Sequence, residues 1–170
     1  YNAEYNSFVT PTFETVPLSF VGIITEKDGK PFALRKHQKQ AVWRALLMGK
    51  GIFAHDVGTG KTLTTAAPAM ESKRFGYAKK PMLFAHNINA AQVADEIREA
   101  YPTAKVLYVD NLNPSVRDRT LAMIAADDWD VIVVPHSLTD RFLLKAETIR
   151  GIWEEDLRQL EDAAREAFKE

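Results

Sequence analysis

The sequence predicts an α/β domain, a parallel β-sheet with helices on both faces, together with an N-terminal arm and a C-terminal helix. Two patterns predict it. Short apolar runs recur without polar alternation, as in strands buried on both faces, and segments of helical periodicity about ten residues long separate them. The chain has 170 residues, 46% hydrophobic and 26% charged, which suits one soluble globular domain with attached arms.

Residues 1–31 read as an arm. Pro11, Pro17 and Pro31 break it, the apolar run Leu18–Ile24 lies inside it, and Lys27-Asp28-Gly29-Lys30 is a turn signal that fits a hairpin packed on the main body. The lobe proper is expected over residues 32–150. Leu34, Gln38, Ala41, Val42, Ala45 and Leu46 recur at helical spacing until Gly49 and Gly51 stop the helix. Gly51–His55 reads as a short strand, followed by a Gly-rich loop and a helix from Lys61 to Ser72. Three further strands are expected at Pro81–His86, Ala104–Asp110 and Asp130–Pro135, with helices over Asn89–Ala100 and Ser115–Ala125 between them. Residues 151–170 form a charged amphipathic helix with Trp153, Leu157, Leu160, Ala164 and Phe168 on one face. Its acidic polar face speaks against anionic lipid.

Several function classes drop out. The absence of cysteine excludes disulfides and thiolate zinc sites and fits a reducing cytoplasm. His37, His55, His86 and His136 show no metal-ligand spacing. No apolar run spans a bilayer, and the polar start is unlike a signal peptide. A net charge of −1 does not hold nucleic acid by bulk attraction, so any DNA contact must be local. Because residue 1 is Tyr, the expectation is a fragment or processed product of a longer protein.

The most specific motif is Asp56-Val57-Gly58-Thr59-Gly60-Lys61-Thr62, between an expected strand and an expected helix. Glycines let successive backbone amides point at one anion, and the helix N-terminus adds positive potential. Lys61 would reach the β- and γ-phosphates of ATP, and the Thr62 hydroxyl would ligate Mg²⁺; Leu63 continues the segment. The general pattern has a glycine where this chain has His55.

Leu34-Arg35-Lys36-His37-Gln38, then Ala54 through Thr62, then Pro81-Met82-Leu83-Phe84-Ala85-His86-Asn87 resembles superfamily II helicases. The similarity is to the Swi/Snf-like branch, which includes phage- and plasmid-encoded methylase–helicase and antirestriction proteins. That branch accepts Ala-x-x-x-Gly-x-Gly-Lys-Thr, which Ala54–Thr62 satisfies. The resemblance covers residues 34–140 and implies the first RecA-like lobe of an ATP-dependent DNA translocase or helicase, in a bacterial or phage-infected cell, working with a second RecA-like lobe.

Residue by residue, the resemblance implies that Gln38 hydrogen-bonds the adenine edge, which an amide with both donor and acceptor can do. Equally, Gln38 is a polar residue on a helix face, and Arg35 either supports the nucleotide or meets a surface carboxylate. His86 and Asn87 match the first DNA-contacting segment, and Ser137 and Thr139 a second. Each is equally a capping residue at a strand–helix junction.

An Asp-Glu pair at a strand end, needed for hydrolysis in this family, is missing from its expected place. The fourth expected strand ends Val133-Val134-Pro135-His136, and Glu154-Glu155-Asp156 follows no apolar strand. The implied protein is therefore longer, and this chain alone should bind ATP weakly without turning it over. Two other readings stay open. One is a catalytically inactive nucleotide-binding scaffold. The other is a small phosphate-loop kinase using Asp110, which otherwise begins a turn with Asn111.

Overall fold

The computed structural model describes residues 18–142 and 146–167, and the chain divides into a unit ending at Ser137 and a second beginning at Leu138. Residues 1–17 of the expected arm, with Pro11 and Pro17, and Phe168 of the tail lie outside the described residues.

The first unit opens with a hairpin, β1 (Glu26–Lys27) antiparallel to β2 (Lys30–Pro31). It turns where the sequence predicts, through Asp28 (φ 53) and Gly29 (φ 70); both positive angles are what a two-residue hairpin turn requires. Ile24 N–H donates to Ala100 O at 2.9 Å, which ties the hairpin's base to the main body. Helix α1 (Lys36–Met48) buries Gln38, Ala41 and Val42 and ends at Gly49, whose φ of 64 is the left-handed cap expected of a glycine stop.

The sheet has three parallel strands in the order β3 (Met82–Ala85), β5 (Val131–Pro135), β4 (Val106–Tyr108). Its registers pair Met82 with Ile132 and Leu107 with Ile132, so β5 is the centre. Helix α2 (Lys61–Arg74) precedes β3, α3 (Ala90–Ala100) joins β3 to β4, and α4 (Pro114–Ala126) joins β4 to β5. Val131 and Val133 pack in a core with Ala66 and Ala69 of α2 and Ala90, Ala94 and Ile97 of α3. The run of alanines lets the helix backbones approach the sheet closely. Ile132 and Val134 point to the opposite face and are equally inaccessible, so β5 is covered on both sides as its unbroken apolar run predicts.

Lys73 closes the return from α4 to β5. Its ammonium meets Asp128 at 2.9 Å, Asp130 at 2.8 Å and the Trp129 carbonyl at 2.9 Å. The hydrogen bond from Lys73 holds the Asp128 carboxyl below the usual carboxylate range. Asp130 also accepts from Lys105 N–H at 2.8 Å, linking the starts of β4 and β5.

One expected element is corrected. Gly51–His55 is not a strand of the sheet; the segment is irregular and Ile52 is 90% exposed. A strand exists only through a neighbour that takes up its amides and carbonyls, and no strand lies beside this run among the described residues. On the sheet side, β3 is the edge: alternate residues of a parallel strand address alternate neighbours, which leaves the amides of Met82 and Phe84 facing outward.

In the second unit, α5 (Ala146–Ala167) begins earlier than the predicted residue 151. Trp153, Leu157 and Leu160 form the predicted stripe, and all three are exposed. A 3-10 helix, His136–Arg141, follows β5 directly in the chain. No helix among the described residues is long and apolar enough to cross a membrane.

The contrast between a true strand and the irregular run is measurable. Ile132→Ala should lower unfolding free energy by about 2–5 kcal/mol in urea titration. Ile52→Ala should change it by less than about 0.5 kcal/mol; a core-sized loss at Ile52 would mean that the run is packed as a strand after all.

Candidate functional site

The predicted phosphate loop connects the irregular run to α2, with Gly60 as the residue before the helix. Gly58 and Gly60 both have φ of 80, the left-handed conformation that side chains resist, and this turns the chain sharply into α2. Thr59 Oγ1 donates to Asp56 O at 2.7 Å, which closes the loop on itself. Thr64, one turn into the helix, donates to Gly60 O from its backbone N–H at 3.1 Å and its hydroxyl at 3.0 Å.

Lys61 bends back over this loop. Its ammonium donates to the carbonyls of His55 at 3.2 Å and Asp56 at 3.1 Å, and the side chain is exposed. A cation resting on neutral carbonyls is where an anion would exchange readily, since a phosphate oxygen adds the attraction of an opposite full charge. Thr62 stands next in the first turn of α2, partly exposed, and Leu63 turns inward against the core of Leu34, Val42 and Ala67.

Helix α1 holds the loop from behind. Gln38, 5% exposed, donates from Nε2 to Thr59 O and to Gly60 O, both at 3.2 Å, and its Oε1 accepts from Arg35 N–H at 2.8 Å. The Arg35 side chain itself is exposed. His37 Nε2 lies 3.4 Å from Thr59 O, and its ring meets His55 edge-on with centroids 5.3 Å apart. The sequence pattern marks His55 only as a departure from glycine. That it partners His37 was not legible, because residues so far apart in sequence meet only through the fold.

The two expected DNA-contacting segments come together at the ends of adjacent parallel strands. Asn87, just after β3, accepts from Ser137 N–H, just after β5, at 3.0 Å. His86 starts the turn into α3: its carbonyl accepts from Asn89 N–H at 2.9 Å, and Ile88 stands 84% exposed beside it. Thr139 lies further along the 3-10 helix, in the second unit. A cavity of about 700 Å³ is lined by Ile24, Phe32, Leu63, Ile88, Gln92 and Glu96 among others, so the start of α2 and the His86–Asn89 turn border the same space.

Asp110 is placed elsewhere. It follows β4, at the edge of the sheet away from β3, and Asn111 next to it accepts from Asn113 N–H at 2.8 Å as the chain turns into α4. No hydrogen bond or ion pair joins Asp110 to the phosphate loop among the described residues.

The family model described as probable helicase domain matches residues 43–169 of the chain. Among solved structures, the Sulfolobus solfataricus SWI2/SNF2 ATPase core in complex with dsDNA is similar, with a TM-score of 0.53 and 21% identity over 71% of this chain. The match covers 24% of that structure's chain, and at this identity it is a likeness of fold. No curated protein matches the chain.

The two loop glycines separate backbone strain from contact. Gly58 and Gly60 share a φ of 80, but a Cβ on Gly58 would meet nothing within 4 Å, whereas one on Gly60 would lie 2.6 Å from Gln38 Nε2. Gly58→Ala should cost about 1–2 kcal/mol of unfolding free energy from the backbone alone. Gly60→Ala should cost clearly more, and equal losses in urea titration would refute the contact with Gln38.

Proposed function

The chain belongs to the probable helicase domain family and has the fold of the first lobe of a Swi/Snf-like ATPase core, and from that premise we propose that it is the ATP-binding lobe of an ATP-dependent DNA helicase or translocase. The observation that carries the proposal is the loop of Asp56–Thr62: two left-handed glycines, a helix N-terminus behind them, and an exposed Lys61 ammonium resting on loop carbonyls.

In this reading Gly58, Thr59 and Gly60 offer backbone amides to the phosphates, and Lys61 leaves His55 and Asp56 for the β- and γ-phosphate oxygens. The Thr62 hydroxyl would be the protein ligand of a Mg²⁺ ion bound with the triphosphate, since such ions are typically held by few protein groups. The ion's chemistry is to neutralise charge on the transferred group. Leu63 packs the start of α2 against the core, and Arg35 supports the turn before α1. The neighbouring strand ends supply the DNA-facing edge. His86, Asn87 and Ser137 stand there, and backbone N–H groups at the start of α3 suit a phosphate of the DNA strand; Thr139, in the second unit, is proposed as a DNA contact in its own right.

Hydrolysis needs a carboxylate pair at a strand end to hold the metal and orient water. We place that pair, and the second lobe, outside residues 1–170. The geometry of the sheet supports this placement. Beyond the open edge of β3, a cavity of about 570 Å³ separates Met82 and Leu83 from Phe53 of the irregular run, and further strand pairing there would engage both sides. A phage or plasmid origin, drawn from the resemblance alone, belongs to the same proposal.

Calorimetric titration of the chain with Mg²⁺ and a slowly hydrolysed ATP analogue tests the reading. Lys61→Ala should weaken binding by at least about tenfold, the equivalent of one charge-assisted hydrogen bond. The unmodified chain should show no DNA-stimulated turnover. Analogue binding that Lys61→Ala leaves untouched would sink the assignment, and a folded chain that binds no nucleotide would favour a scaffold instead.

A further inference from the structure

We propose that Gln38 is a positioning residue for the phosphate loop: its buried carboxamide anchors the Thr59–Gly60 turn and so sets affinity for a triphosphate whatever base it carries. The inference rests on the reading of Asp56–Thr62 as a triphosphate site.

The resemblance assigns Gln38 to the adenine edge, and the geometry shows its amide otherwise engaged. A carboxamide has two N–H donors and one carbonyl. Nε2 is bonded to the Thr59 and Gly60 carbonyls at 3.2 Å each, and Oε1 takes Arg35 N–H at 2.8 Å. The residue is buried, so these partners are not exchanged freely with water. To read a base, the amide would have to release the turn.

The bonds to the loop have a directional consequence. In a planar trans peptide the carbonyl and the N–H of one unit point opposite ways. The Thr59 carbonyl shares its plane with Gly60 N–H, and the Gly60 carbonyl shares its plane with Lys61 N–H. Drawing both carbonyls towards α1 therefore turns those N–H groups away from α1, to the open side of the loop. Successive amides aimed at one side are what an anion nest consists of. Thr64 adds two more donors to Gly60 O, from N–H and Oγ1, and His37 approaches Thr59 O at 3.4 Å, so the same carbonyls are gripped from both helices. Gly60 is part of the device: with a Cβ only 2.6 Å from Nε2, a larger residue would displace the anchor.

The test compares the chain with Gln38→Met, which keeps helix propensity and side-chain length while removing both donors and the acceptor. Calorimetry with Mg²⁺ and, separately, a slowly hydrolysed ATP analogue, the matching GTP analogue and inorganic tripolyphosphate should show all three weakened by a similar factor, about tenfold for two neutral hydrogen bonds. Loss confined to the ATP analogue, with the other two unchanged, would make Gln38 a base reader and overturn the proposal. A ligand-free readout decides the matter independently. Backbone ¹⁵N order parameters at Gly58, Thr59 and Gly60 should fall from rigid values near about 0.85 towards the flexible range below about 0.6 in Gln38→Met. Unchanged order parameters in a variant with native circular dichroism would overturn the anchor. Should the unmodified chain bind none of the three ligands, the triphosphate reading fails while the order parameters still test the anchor.

Discussion

The parallel pairing of β5 with both its neighbours is the constraint on which the rest of this structure depends. Parallel strands run the same way, so each must be followed by a crossover, and their ends all fall on one edge of the sheet. β5 takes the central position because its Val-Ile-Val-Val run can be buried on both faces at no polar cost. Its neighbours are less enclosed: Phe84 of β3 is exposed and Tyr108 of β4 only partly buried. With the central strand in place, the turn after β3 must lie beside the turn after β5, and Asn87 meets Ser137. The crossover helices must also lie close to the sheet, which the alanines of α2 and α3 permit.

The loop of Asp56–Thr62 is positioned differently. A loop of this kind ordinarily inherits its place from the strand before it, but here that run is irregular and has no strand beside it among the described residues. Its conformation is held from α1 instead, through Gln38 and His37, and by bonds within the loop from Thr59 and Lys61. The arrangement fits a site in which the helix-side geometry is already organised while the sheet side is open. Among the described residues the sheet of the first unit is thus paired on both sides at β5 and unpaired along the outward edge of β3.

Apolar runs and helical periodicity were enough to read β3, β4, β5 and the helices between them, because each pattern reflects burial that the sheet then enforces. The glycines of the loop were legible for the same kind of reason, since a left-handed turn is a local requirement that few residues meet. The Asp28–Gly29 turn belongs to this class too. Gly51–His55 did not become a strand although its composition is that of one. A strand's hydrogen bonds are made by its neighbour, and no property of the run itself supplies one.

Residue identity along the chain therefore determined the α/β class, the left-handed turns at Gly58 and Gly60 that lead into a helix starting at Lys61 and Thr62, and the candidate positions at the strand ends. Tertiary structure alone decided that Gln38 spends its amide on the loop, that His37 faces His55, that Asn87 holds Ser137, and that Asp110 lies at the far edge. These are pairings between segments distant in sequence, and hydrogen bonds are short and directional. A motif can say which atoms are on offer, but only the packed fold brings a donor within reach of its acceptor.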